Sequence, residues 1–437
     1  MAWINFFESD NEKRCSFGRG INADISPDEE ELFNDSYLAF ENKKMLDAYE
    51  FFFRSLENFY NKSSNNNIII EKNNETLKFT LFQGLAKVQG VITQETLYAE
   101  VVMLKAVDAN VALKRYILER NYQFTYAHYF SDSKHTKLKI FFHNETMSPQ
   151  KIFFPIRELA LNADFDKEFM KSEFPEVELE EISHIQNIEE SEARVKYQFL
   201  QTWISEVEEK ALTLPSNDKA GMEAFLYMNL IFKIDYLLVP KFNIYQKISK
   251  KVQTYFSEDE LSIESKNEEI KRYVDELKEI SFEEFNANLY DSKYTFSQNE
   301  KSSFEELTIF LNESLKKVRW YKSNRYNQII PTLYSYVSFY ALYNYGMNPV
   351  LKTLLHLLVT IRHPEFFGAL EYKIYYDREN DSLLKRDIKS KIEEIVKRYQ
   401  KEYKLLKPFG DKLNFESLNE FSNSFYTQIK NLNFEES

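Results

Sequence analysis

The chain has 437 residues, 43% hydrophobic and 16% aromatic, and its 56 Lys and Arg against 69 Asp and Glu leave a net charge of −13. So acidic a chain repels polyanions on average, which disfavours wholesale binding to nucleic acid or to an anionic membrane surface unless basic charge is segregated. One cysteine, Cys15, excludes an internal disulfide and a cysteine-based zinc site.

The N-terminus, "MAWINFFESDNEKRC", lacks a secretory signal's order of basic flank, long apolar stretch and small-residue cleavage site. A cytoplasmic location is therefore expected. Residues 1–36 are expected to form an irregular arm, since "FGRGINADISPDEEE" mixes glycine, proline and acidic residues. Trp3, Phe6 and Phe7 are unexpectedly apolar for a free tail and make the arm a candidate partner-binding segment.

Tyr37 to Tyr60 is expected to be one amphipathic helix, with Leu38, Met45, Tyr49, Phe52, Phe53, Leu56 and Tyr60 on one broad face. After the loop "NKSSNNN" come four strand candidates, "IIIEKNN", "TLKFTLFQG", "AKVQGVITQE" and "LYAEVVMLKA". Gly84 falls at a turn between them, and Gly90 marks an expected strand irregularity. "NVALKRYILERNY" reads as a helix. "QFTYAHYFSDSKHTKLKIFFHN" reads as a hairpin turning near Ser131 to Lys134. Ser148-Pro149 opens a further helix that Pro155 is expected to kink or to start late. Residues 175–192 are acidic and poorly periodic, a linker or strap. From 193 to 437 nearly every segment has helical spacing.

"IIPTLYSYVSFYALYNYGMNP", Ile329 to Pro349, carries no charge. Pro331, Gly346 and Pro349 interrupt it too often for a membrane span of about 20 residues. It reads instead as one buried helix and the start of a second, "NPVLKTLLHLLVTIRHP".

Only 8 glycines occur, and none builds a phosphate-cradling G-x-G-x-x-G or G-x-x-x-x-G-K-S/T loop. G-x-S-x-G, H-E-x-x-H and the kinase signatures are absent too. No catalytic residue, cofactor or metal is assigned from motifs. His128, His135 and His143 share the hairpin without an accompanying carboxylate pattern. His356 and His363, seven residues apart, share a helix face with Arg362 beside them. They form a candidate polar cluster for acid–base chemistry or anion binding. The plainer reading is a helix C-terminus whose cations meet free carbonyls. Between Leu384 and Lys407, nine basic residues stand against four acidic ones. Lys385, Arg386, Lys389, Lys397, Arg398 and Lys401 mark this candidate basic surface, and it supplies a nucleic-acid-binding alternative.

The order helix, three or four strands, helix, two strands, helix, over Tyr37 to Phe174, resembles the type III secretion chaperone-like fold, which includes bacterial YbjN-type domains. "VALKRYILERNYQFTYAHYF" looks like that fold's helix delivering a strand. "LKIFFHNETMSPQKIFFPIRELALNADFDKEF" looks like its strand, turn and last helix, ending near Ala-Asp. The extra early strand and Pro155 depart from it. The resemblance implies a non-catalytic protein that binds another polypeptide, often as a dimer. The expectation is an α+β fold: an arm (1–36), a chaperone-like domain (37–174), a linker (175–192) and an all-helical domain (193–437). The rival is an enzyme or small-molecule site near His356, Arg362 and His363.

Overall fold

A computed structural model describes residues 17–18, 27–57, 67–257 and 261–434. Helices α1 (Pro27–Glu41) and α2 (Met45–Ser55) lead into strands β1 (Ile68–Lys72), β2 (Leu77–Gln83), β3 (Ala86–Ile92) and β4 (Thr96–Lys105). Helix α3 (Val111–Gln123), the hairpin β5 (His128–Ser131) and β6 (His135–His143), and helix α4 (Pro149–Glu173) follow. The six strands form one antiparallel sheet in the order β1-β2-β3-β4-β6-β5. The rest of the chain is mostly helical, so the architecture is α+β with a helical region, as expected.

Along β4, Leu97, Ala99, Val101 and Met103 are buried while Tyr98, Glu100 and Val102 point outward. This period-2 pattern presents one apolar face, which α2 and α4 cover. Phe53 of α2 stacks on Phe79 of β2 at 4.0 Å between ring centroids. Gly90 sits opposite Phe79, and a Cβ there would collide with that ring. Its role is room for an aromatic core residue. The register irregularity falls instead on β4, between Val102 and Leu104.

Two local expectations are revised. The helix expected from Tyr37 to Tyr60 is broken where Lys43 takes a left-handed φ of 57°. That turn folds α1 back on α2, and Phe40 meets Tyr49 edge to face at 5.2 Å. Helix α1 also begins at Pro27, inside the segment read as irregular. Periodicity cannot mark such a break, because the apolar residues on both sides face the same core. The α4 helix starts at the predicted Ser148 cap and runs through Pro155 to Glu173, past the Ala163-Asp164 end the resemblance implied.

The helical region comprises α5 (Glu190–Thr213), α6 (Lys219–Lys233), a π-helical turn at Ile234–Leu238, α7 (Phe242–Phe256), α8 (Ile263–Lys278) and α9 (Phe282–Ala287). It continues with α10 (Phe304–Ser323), α11 (Ile330–Asn344), α12 (Pro349–Arg362) and α13 (Pro364–Ala369). A two-stranded ribbon of β7 (Tyr376–Asp377) and β8 (Ser382–Leu383) then precedes α14 (Lys385–Tyr399) and α15 (Leu418–Ile429). The uncharged run forms α11 and the start of α12, and all of α12 is buried. No helix among the described residues is long and apolar enough to cross a membrane.

The two regions share a seam. The acidic strap pairs with β4, where the Glu180 N–H donates to the Met103 carbonyl at 2.9 Å. It also pairs with the chain after α9, where Gln186 and Asp291 exchange backbone hydrogen bonds. That later stretch crosses back to the sheet. Phe296 is buried in the sheet's own core, 5.6 Å from the Phe153 ring. The Gln83 side-chain oxygen accepts from the Thr295 and Phe296 N–H groups at 3.0 and 2.8 Å. In the β2–β3 turn, Gly84 has φ 54°, and its carbonyl accepts the Ser292 hydroxyl at 2.6 Å. The neighbouring Leu85 N–H donates to the Asp164 carboxylate at 2.7 Å.

A Cβ at Gly84 would collide with the Asp164 carboxylate, on a backbone that already disfavours side chains. Gly84→Ala is expected to lower unfolding stability by about 3 kcal/mol and to speed proteolysis around the seam. Denaturant titration and limited proteolysis check both; an unchanged midpoint refutes the expectation.

Candidate functional site

An aromatic-lined groove lies between α6 and α10 in the helical region. Gly221, Ala224, Phe225 and Met228 supply one wall at i, i+3, i+4 and i+7, the repeat of a single helix face. On the other wall, α10 places Glu313, Lys316, Lys317 and Trp320 with the same repeat. Tyr336 of α11, Phe256 and Ile263 also line it, for a volume of about 700 Å³. Trp320, Phe256 and Ile263, all three on this one groove, are 49%, 47% and 43% exposed. Most of the groove's charge is internally satisfied. Lys316 pairs with Glu313 at 2.6 Å, and the Tyr321 hydroxyl donates to Asp218 at 2.6 Å. Lys317 has no carboxylate partner among the described residues; its ammonium lies 5.1 Å from the Phe225 ring centroid.

The candidate polar cluster lies elsewhere, inside the helical core. His356 is buried, with Nδ1 2.8 Å from the Tyr236 hydroxyl. The wholly buried Phe17 ring lies 5.4 Å away, and the Gly18 N–H donates to the Tyr236 carbonyl at 2.7 Å. Burial, with Lys352 nearby, pushes the His356 imidazolium down to about 3. His363 faces the Ser335 hydroxyl at 3.4 Å and the Phe339 ring at 5.4 Å. Burial and then Lys233 hold its imidazolium well below the usual histidine range. Arg362 turns toward α11 and α15, donating to the Pro331 carbonyl and the Ser422 hydroxyl, both at 2.7 Å. Thus the three side chains do not converge on one point: the imidazoles face aromatic and hydroxyl neighbours, while the guanidinium ties helices together.

The basic surface is partly neutralised. Lys389 pairs with Asp411 at 2.6 Å, Lys391 with Glu394 at 2.8 Å, and Arg398 with Glu394 at 3.3 Å. Lys385 lies over the Phe415 ring at 5.1 Å. Arg386, Lys397 and Lys401 are exposed. Helix α14 is shorter than its sequence pattern, ending at Tyr399, so the later lysines leave the helix face. Trp3, Phe6 and Phe7 lie outside the described residues. The hairpin histidines are dispersed by register, His128 opposite Lys139, His135 opposite Lys105 and His143 opposite Thr96. No group of three His, Cys, Asp or Glu side chains among the described residues is placed to hold a metal ion.

Sequence reasoning missed a second polar set, in "ADFDKEF" of α4. Asp164, Asp166, Lys167 and Glu168 are all buried. Asp166 accepts from the Tyr116 and Tyr129 hydroxyls at 2.7 Å each and pairs with Arg120 at 2.8 Å. Burial pushes its carboxyl up, against these partners. Glu168 accepts the Tyr290 hydroxyl at 2.7 Å and the Phe242 N–H at 3.1 Å. Lys167 donates to the Glu180 carbonyl at 2.6 Å, and burial pushes its ammonium down to about 7. These groups bind α4 to α3, β5, the strap and the helical region. Helix α3 adds an exposed stripe, with Val111, Leu118 and Tyr122 68%, 68% and 94% accessible.

No protein-family model matches the chain, and no curated protein matches it.

The shift at His356 makes stability pH-dependent. An unfolded histidine takes its proton near the ordinary 6.5, whereas the folded one resists to about 3. Unfolding therefore takes up a proton between these values, and stability falls as pH drops through that window. His356→Gln, which keeps a hydrogen-bonding group but cannot titrate, is expected to flatten the fall. Denaturant titrations from pH 7 to pH 4 measure the slope, and an unaltered slope refutes the assignment.

Proposed function

We propose that the protein is a non-catalytic, cytoplasmic polypeptide-binding protein, adaptor- or chaperone-like, that holds its partner in the α6–α10 groove. The observation that carries this reading is the clustering of Trp320, Phe256 and Ile263, each nearly half exposed, around one aromatic-lined groove. Exposed apolar clusters of this kind mark contact surfaces, and aromatic side chains dominate binding energy. The partners found by His356 and Arg362 inside the core favour structural duty for them over acid–base chemistry.

The element order from α1 to α4 supports the type III secretion chaperone-like resemblance, with one helix and one strand added before α3. Proteins with that fold bind other polypeptides; the resemblance covers the α+β region, and the groove reading rests on the helical region's own residues.

A second copy of the chain is the partner that α3 favours. Its Val111–Leu118–Tyr122 stripe is flanked by Arg115 and Glu119. Antiparallel packing about a two-fold axis near Leu118 sets each Arg115 beside the other copy's Glu119. The stripe is thus self-complementary.

Trp320→Ala is expected to weaken the complex with a partner captured by a photo-cross-linker in the groove by about 30-fold, a loss of about 2 kcal/mol. Calorimetric titration measures it, and unchanged affinity overturns the groove reading. Leu118→Asp is expected to shift a sedimenting dimer to monomer; wild-type chain that sediments only as monomer rejects the α3 pairing.

A further inference from the structure

We infer that the groove receives an amphipathic α-helix whose apolar face is flanked, on the side toward α10, by acidic residues. The inference rests on the polypeptide-binding reading and names the class of segment bound.

The groove's own backbone argues for a helix. Its long walls, α6 and α10, are helices whose peptide groups are largely hydrogen-bonded internally. An extended peptide laid between them would find few backbone partners and would leave its own donors and acceptors unpaired on a largely apolar surface. A helix satisfies its backbone internally and presents only side chains, the mode by which apolar grooves recognise helices.

Dimensions and relief agree. Asp218 to Met228 spans ten residues of rise, about 15 Å, enough for nearly three turns of a bound helix. Ala224 keeps α6 low in the middle of that span, while the Asp218 carboxylate lies over Gly221, so another helix approaches most closely along the low strip at Ala224. Phe225, Trp320 and Phe256 stand around that low strip and can receive side chains at i, i+3, i+4 and i+7.

Charge sets the polarity of the partner. Glu313 is held by Lys316 and Asp218 receives the Tyr321 hydroxyl. That leaves Lys317, facing the groove over the Phe225 ring with no carboxylate among the described residues. A carboxylate on the bound helix completes this position; a cation there would be repelled.

Three fluorescent synthetic peptides test the inference on the full chain by anisotropy. The first carries Phe and Leu at i, i+3, i+4 and i+7, Glu along one flank of that stripe and Gln elsewhere. The second replaces every Glu by Lys. The third is the first with two prolines in its middle, which prevent a helix. The first is expected to bind at least tenfold more tightly than either other. Lys317→Glu is expected to narrow or invert the preference between the acidic and basic peptides, and Trp320→Ala to weaken the first peptide. Equal binding of the proline peptide overturns the helical class while leaving polypeptide binding in place. Equal binding of the lysine peptide, unmoved by Lys317→Glu, overturns the acidic class. Binding that ignores Trp320→Ala, or no binding of any peptide, overturns the groove reading with it.

Discussion

The structure depends on a crossing. A stretch from the helical region returns to the sheet and places Phe296 in a core built by residues more than 100 positions earlier in the chain. Around it, Gln83 caps the incoming backbone and the Gly84 carbonyl takes the Ser292 hydroxyl. Such a join is demanding because each buried donor and acceptor must find its partner or lose the solvation it left behind. It also explains why a turn glycine lies against a helix carboxylate: any larger residue at Gly84 would separate the layers.

The buried charges follow from the same constraint. Four ionisable residues in five positions of α4 would ordinarily signal a solvent-facing helix end. Here Asp166 is enclosed by two tyrosine hydroxyls and an arginine, Lys167 reaches a strap carbonyl, and Glu168 meets Tyr290 and the start of α7. These contacts extend α4 beyond its apolar stripe. Breaking one partner of a buried charged set costs more than the set contributes over an apolar equivalent, so such sites favour one arrangement of the regions more than they add stability. The strap between Glu173 and Glu190, acidic in composition, is accordingly a structural element with its own backbone pairing.

This inward use of polarity separates core from surface function. His356 Nδ1 and the two terminal nitrogens of Arg362 are engaged inside the helical core, and α14 spends much of its charge on local pairs. The α6–α10 groove is different in kind: aromatic side chains stand along its walls, Glu313 and Asp218 are engaged, and Lys317 has no acidic partner among the described residues. The α3 stripe is a second, separate apolar exposure.

The sequence by itself determined the α+β class, the four early strands, the β5–β6 hairpin, the Ser148-Pro149 helix start and the two buried helices from the uncharged run. Each is written in local periodicity, capping or turn chemistry, which act within a few residues. The break at Lys43, the passage of α4 through Pro155 and the crossing by Phe296 were decided only by the tertiary structure, because they depend on partners distant in sequence. The groove belongs to the same class. Phe225 and Trp320 lie at helical spacings that look identical whether a face is covered or bare, since periodicity records which residues share a face and packing alone records what lies against it.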